Sequence, residues 1–145
     1  MEIGKGVANA NSLLGRLLYS LRNKHHLRLI SAEGGSRSNV IPVSAKAEIV
    51  IDDGDLPGVL EDISQIADEI KAEYAVTDPN MTVTVSKPFD FCQEAFTEED
   101  TDRAINLIFA IPHGVMVMSP DMEGLVQTST NFAILRTENG NLVIH

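Results

Sequence analysis

The stretch VSAKAEIVIDDGDLPGVLEDISQIADEI, residues 43–70, changes its hydrophobic period once, and that change decides the fold. Val43, Ala45, Ala47, Ile49 and Ile51 alternate with Ser44, Lys46 and Glu48. A period of two describes a strand with one buried face. Asp52-Asp53-Gly54-Asp55 then makes a turn, with Asp55 expected as a helix N-cap and Pro57 in the first helical turn. Beyond it Val59, Leu60, Ile63, Ile66, Ala67 and Ile70 recur at helical spacing, while Glu61, Asp62, Asp68, Glu69 and Lys71 are left to solvent.

The same reading extends in both directions. Upstream, Val7, Ala10, Leu13, Leu14, Leu17, Leu18 and Leu21 share one helical face, and Arg22, Lys24, His25 and His26 suit the negative end of that helix. Leu27 to Ala32 reads as a short strand stopped by Gly34-Gly35-Ser36. Downstream, Thr77-Asp78-Pro79-Asn80 ends the second helix, and Met81, Val83 and Val85 alternate as a further half-buried strand. Thr97 before Glu98-Glu99-Asp100 is an N-cap signal; the helix it opens carries Ala104, Ile105, Ile108 and Phe109 and closes at Pro112-His113-Gly114. Val115–Met118 and Gln127–Thr137 read as strands, and Asn139-Gly140 is a type I′ hairpin signal before Leu142-Val143-Ile144. The pattern is α+β: an antiparallel sheet with helices packed on one face.

A chain of 145 residues with 43% hydrophobic content has the size and composition of one folded domain, 1–145. Eleven lysines and arginines stand against 21 acidic residues, a net charge of −10 that opposes binding to nucleic acid or an anionic membrane surface. No apolar run approaches the ~20 residues of a membrane span, and Met1-Glu2-Ile3-Gly4-Lys5-Gly6 has no signal-peptide core. The single cysteine, Cys92, forms no internal disulfide and has no basic neighbour to activate it. The expected setting is soluble and cytoplasmic. Because Glu2-Ile3-Gly4-Lys5-Gly6 runs straight into a helix and the last strand stops at His145, both ends are expected to be cuts inside a larger polypeptide.

Catalytic chemistry finds little support. His25, His26, His113 and His145 show no H-x-x-x-H, H-x-D or E-x-x-H spacing, so no metal site is expected. Adjacent His25 and His26 diverge from a helix end, and His113 sits in a turn with a structural role or a substrate-facing one. Gly4-Lys5-Gly6 and Gly34-Gly35-Ser36 match neither a P-loop nor a dinucleotide fingerprint. The acidic clusters are explained as a turn and a helix start. One segment stands out: Ser36-Arg37-Ser38-Asn39 combines a guanidinium, two hydroxyls and an amide, and Val40-Ile41-Pro42 fixes its exit. Such a loop can recognise a carboxylate or a peptide group, and on physical grounds alone it reads equally as an ordinary surface loop. On these residues alone, a free-standing α+β ligand-sensing or protein-interaction module fits as well as any enzyme part.

Residues 34–42 also resemble the G-G-[ST]-x-x-N-x-I-P stretch in the lid of M20-type di-zinc metallopeptidases, and most closely the aminoacyl-histidine (Xaa-His) dipeptidase branch, known too as peptidase D or cytosol non-specific dipeptidases. Three more segments are similar to that lid, in order: Glu2 to Asn11 at its start, Pro112-His113-Gly114-Val115 with Met118-Ser119 in its middle, and Gly124 to Asn131, like G-L-V-x-T-S-x-N. The resemblance implies a ferredoxin-like lid and dimerisation domain from a two-domain parent, whose other domain holds two zinc ions and the catalytic glutamate. It implies a homodimer, a dipeptide substrate, and no catalytic residue or metal ligand in this chain. The lid histidine of a G-G-H-S-G segment would precede Glu2, and a carboxylate-binding arginine would follow His145. What carries over is Asn39 as a substrate-binding residue, with Arg37 and Ser36 as its neighbours. Gln127 stands where the branch often has glutamate.

Overall fold

The computed structural model describes residues 7–86, 94–123 and 125–145. Gly4-Lys5-Gly6 and Cys92 lie outside them. The elements run α1 (Ala10–Lys24), β1 (Leu27–Gly34), β2 (Ala45–Ile51), a 3₁₀ turn (Asp53–Asp55), α2 (Leu56–Glu73), α3 (Glu98–Ala110), β3 (Gly114–Met118), β4 (Val126–Thr130), β5 (Leu135–Glu138) and β6 (Asn141–Ile144). A four-stranded antiparallel sheet has the order β2-β1-β5-β6, and β3 and β4 form a separate two-stranded ribbon.

One face of the sheet is apolar. Leu27 and Leu29 on β1 pair with Ile51 and Ile49 on β2, and the register then slips between Leu29 and Ser31 so that Ala32 meets Ala47. The slip is a bulge at Ile30. Without it the strict alternation of β1 would put Ser31 on the apolar face; with it Leu27, Leu29 and Ala32 are all buried. The opposite face carries the directly paired Glu33 and Lys46, bridged at 3.0 Å.

Three helices cover the apolar face in one continuous core. Val59, Ile63, Ile66 and Ile70 come from α2, Leu18 and Leu21 from α1, and Ala104, Ile105 and Ile108 from α3. Helix α1 touches both of the others and is the middle helix. Its innermost line is Asn11, Gly15, Leu18 and Leu21, with Leu13, Leu14 and Leu17 half-buried beside it. The line is displaced from the apolar stripe because α3 approaches at Gly15, where a Cβ would lie 2.8 Å from Ile108 Cγ2. Helix α1 also begins at Ala10 rather than Val7, capped by Asn9. Thr97 caps α3, its Oγ1 accepting from Asp100 N at 3.1 Å.

Several expectations are corrected. Asp55 stands at the N-cap position of α2 but its side chain makes no capping bond: it has helical backbone angles within the 3₁₀ turn, and backbone bonds to Asp52 and Asp53 carbonyls already occupy the first donors. Met81 and Val83 stay half-buried against the core, but Val85 is exposed, and among the described residues the stretch joins no strand. Alternation specifies a buried face, not a hydrogen-bonding partner. The stretch 127–137 is two strands in two sheets, broken where consecutive Phe132 and Ala133 are both buried, which a regular strand with one buried face forbids. At the break Ala133 N and Ile134 N both donate to His145 O, at 3.0 and 2.9 Å. The hairpin holds as expected: Asn139 and Gly140 have φ of 50° and 74°, the type I′ geometry.

Strands β1 and β5 pair only at Gly34 and Leu135 and then diverge. Side chains fill the wedge. Thr137 Oγ1 accepts from Ala32 N and donates back to Ala32 O, Thr101 Oγ1 accepts from Leu29 N, and Phe96 N donates to Leu29 O. No backbone donor of this buried strand is left without a partner at those positions.

Candidate functional site

The loop singled out by its composition leaves β1 through two glycines that the geometry demands. A Cβ on Gly34 would lie 2.0 Å from Asn11 Oδ1. Gly35 has φ +76°, and its Cβ would stand 1.8 Å from Ala133 O. Both positions therefore need a residue without a side chain, and Gly35 needs the left-handed region as well.

From there residues 36–39 cross the surface and turn, Val40 N donating to Arg37 O at 3.3 Å. Three anchors hold the loop, two at its far end and one at its start. Pro42 is buried and its carbonyl takes Ala10 N at 3.0 Å, using a donor that the α1 N-terminus leaves free. Asn131 Nδ2 donates to Val40 O at 3.0 Å. Asn11 Nδ2 donates to Gly34 O and Phe132 O at 3.3 and 3.2 Å.

These anchors meet at one buried node. Asn9, 2% exposed, accepts from Ser12 N through Oδ1 and donates through Nδ2 to Phe132 O at 3.0 Å, with His113 Nδ1 at 3.1 Å and Asn131 Oδ1 at 3.4 Å. Asn9 and Asn11, Gly34 to Pro42, His113 and Asn131 come from the four segments quoted above for their likeness to the lid. They are spread along most of the chain, yet a few hydrogen bonds join them. Burial pushes the His113 imidazole below its ordinary value and so favours the neutral ring.

The tip of the loop faces an open cavity of about 540 Å³. Ser36, Arg37, Ser38 and Asn39 form one wall; Ile134, Arg136, Val143, Ile144 and His145 from the β5–β6 hairpin form the other. All three residues expected to bind substrate, Asn39, Arg37 and Ser36, are exposed and lie together here. Arg37 has no ion pair among the described residues, whereas Arg136 Nε is 3.1 Å from Glu138 Oε2. A free guanidinium beside an amide and two hydroxyls, on a chain of net charge −10, favours a small anionic group with hydrogen-bond acceptors. Gln127 is exposed on the ribbon strand β4 and lines neither wall.

Sequence reasoning missed Arg136 and the buried amides. Arg136 reads as the solvent position of a hairpin strand, and an asparagine in a helical stripe reads as solvated. The signal lay in the segments themselves, since Asn9, Asn11 and Asn131 all fall within them.

The remaining histidines are occupied. His25 Nε2 lies 2.5 Å from Asp62 Oδ2, tying α1 to α2, and His26 pairs with Glu98 at the start of α3. Among the described residues no group of three or more histidine, cysteine or carboxylate side chains is arranged to hold a metal ion. These residues do not fit a zinc pair, and no chemical step through zinc is derived from them. Nor is any described helix long and apolar enough to cross a membrane.

The model of the peptidase dimerisation domain matches residues 3–82. The chain belongs to the M20 peptidase dimerisation-domain family. Over 145 residues, 99% of its length, this dimerisation domain is 33% identical to the cytosol non-specific dipeptidase of Escherichia coli (strain K12), and it spans 30% of that protein. It superposes on the crystal structure of the aminoacylhistidine dipeptidase from Vibrio alginolyticus with a TM-score of 0.93 at 29% identity, covering 99% of this chain and 29% of that one. The domain thus spans less than a third of either relative.

Proposed function

We propose that this dimerisation domain is the lid of a larger, two-domain metallodipeptidase. In that reading the other domain holds two zinc ions and hydrolyses Xaa-His and related dipeptides in the cytoplasm, and residues 1–145 form a single unit that closes over the substrate. The observation that carries the reading is the loop: Asn39, Arg37 and Ser36 stand exposed on an anchored scaffold, in a cavity that suits a carboxylate and a peptide amide. A bidentate guanidinium contact suits the carboxylate end of a dipeptide, and an amide hydrogen bond suits its peptide group. The names of the two relatives, both dipeptidases, point to the same substrate class.

Pairing belongs to the same reading. The outer edge of β2 has no partner strand among the described residues, and α2, the helix that follows it in the chain, leaves Leu60 exposed. A self-complementary strand edge plus one helix is sufficient for an isologous dimer, and a stable pair needs to bury at least about 1,000 Å². Helix α1 is enclosed by α2 and α3, and its apolar face is spent on the core.

The test is an assay of the longer protein carrying this domain, loaded with zinc or manganese, on a Xaa-His dipeptide, together with its mass by light scattering. Metal-dependent turnover by a dimer is expected, with none from residues 1–145 alone. Turnover by the isolated chain, or a monomeric longer protein inactive with either metal, overturns the proposal.

A further inference from the structure

His113 is a half-buried imidazole that the reading above leaves without a role. Its tautomer follows from its neighbours. Asn9 Oδ1 is committed to Ser12 N at 3.1 Å as the cap of α1, which fixes which end of the amide faces which way. Turned over, the amide would set its NH2 against the Ser12 N–H and its oxygen against Phe132 O, two mismatches in a buried site. The Asn9 NH2 therefore faces His113 Nδ1 at 3.1 Å, and Nδ1 is the acceptor. A neutral ring that accepts at Nδ1 carries its proton on Nε2. Among the described residues Nε2 has no hydrogen-bond partner, so that donor is offered outward.

The placement gives the donor a use. The same Asn9 amide is 3.4 Å from Asn131 Oδ1, and Asn131 Nδ2 holds Val40 O, the carbonyl next to Asn39. His113 and the Asn39 loop are thus seated on one hydrogen-bonded node. Helix α1 supplies the cap, and the turn before β3 supplies the ring. We propose that His113 is a second substrate-binding residue of this domain, a neutral imidazole donating Nε2–H to a carbonyl or carboxylate oxygen of the bound peptide. The proposal rests on the dipeptidase reading of the preceding subsection. It adds a ligand contact that composition and spacing left open. An imidazolium would offer the outer donor too, but would lose the Asn9 bond, since both ring nitrogens would then donate.

Two measurements test it. In 15N-histidine-labelled protein, His113 is expected to show an acceptor-type shift at Nδ1 and a protonated Nε2. A proton on Nδ1 at neutral pH overturns the assignment. In the longer enzyme, His113→Leu is expected to raise KM for a Xaa-His dipeptide about tenfold while kcat changes less than about threefold. His113→Asn, whose Oδ1 takes the place of Nδ1 as acceptor for Asn9 but whose side chain stops short of Nε2, is expected to fold as the parent does and to keep the raised KM. A purely structural role would lower the amount of folded enzyme and leave KM alone. Hydrolysis with KM unchanged in His113→Leu overturns the role of His113 and leaves the dipeptidase reading standing. No dipeptide hydrolysis by the unaltered longer protein overturns that reading, and the nitrogen shifts then decide the donor assignment on their own.

Discussion

Replacing Gly35 with alanine should be among the most damaging single-methyl changes in this domain. Two costs add. The residue sits at φ +76°, where a Cβ costs about 1–2 kcal/mol against its own backbone. The new methyl would also lie 1.8 Å from Ala133 O and 3.0 Å from Ala133 C. Those are backbone atoms, and Ala133 N is tied to His145 O at 3.0 Å, so the obstacle cannot swing aside as a side-chain tip would. Forcing the two segments apart costs a further ~1–3 kcal/mol, the usual range for overpacking. The expected loss is therefore about 2–5 kcal/mol, a large part of the ~5–15 kcal/mol that holds a typical domain. With a urea slope of about 1–3 kcal/mol per molar, the midpoint should fall by about 0.7 M or more at unchanged slope. Gly54→Ala is the control, because its Cβ meets nothing within 4 Å, and it should shift stability by less than about 0.5 kcal/mol. Gly35→Asn separates the two costs: asparagine tolerates the left-handed region but keeps the Cβ, so it should rescue only part of the loss. Equal midpoints for Gly35→Ala and Gly54→Ala would refute the close approach on which the loop geometry rests.

Two further outcomes follow from caps and histidines. Thr97→Ala should cost about 1 kcal/mol by removing the α3 cap, and Asp55→Ala close to nothing because its side chain caps no helix; comparable losses in urea unfolding would contradict the assignment. His26 and His113 should tilt the pH dependence in opposite senses. Glu98 raises the His26 pKa above 6.5, so its contribution is present below that value and is lost as pH rises through the folded-state pKa. Burial lowers the His113 pKa, so on acidification below 6.5 the unfolded chain takes up the proton first and stability falls. Urea midpoints between about pH 5 and 8 should lose the alkaline decline in His26→Ala and part of the acid decline in His113→Asn; unaltered slopes in both would refute this.

Much of the architecture is legible in local pattern. The stripe on α2 and the alternation on β2 give element type, the burying face and the α+β class, because a period of 3.6 or 2 follows directly from backbone geometry. Asn139-Gly140 gives its hairpin because few other pairs accept positive φ twice. What failed was partnership. Met81 and Val83 face the core without pairing to any strand among the described residues, and 127–137 runs apolar across a break made by Phe132 and Ala133. The bulge at Ile30 leaves no trace in composition. At the candidate site the exposed half, Ser36 to Asn39, was legible as a recognition loop. Its buried half was not, since Asn9 and Asn11 count as solvated until tertiary structure supplies the Gly34 and Phe132 carbonyls they bind.

The two ends of the loop are anchored through Gly34, Val40 and Pro42, whereas the exposed side chain of Asn39 makes no hydrogen bond among the described residues. That separation lets one measurement bear on the whole account: kcat/KM and urea stability of Asn39→Ala in the longer, metal-loaded enzyme. A side chain with no partner in the domain should cost less than about 0.5 kcal/mol of stability when truncated. If it binds the dipeptide as the reaction proceeds, kcat/KM should fall at least tenfold, about 1.4 kcal/mol of transition-state binding. Unchanged kcat/KM at unchanged stability would contradict the account and leave the loop a surface feature of a dimerisation domain.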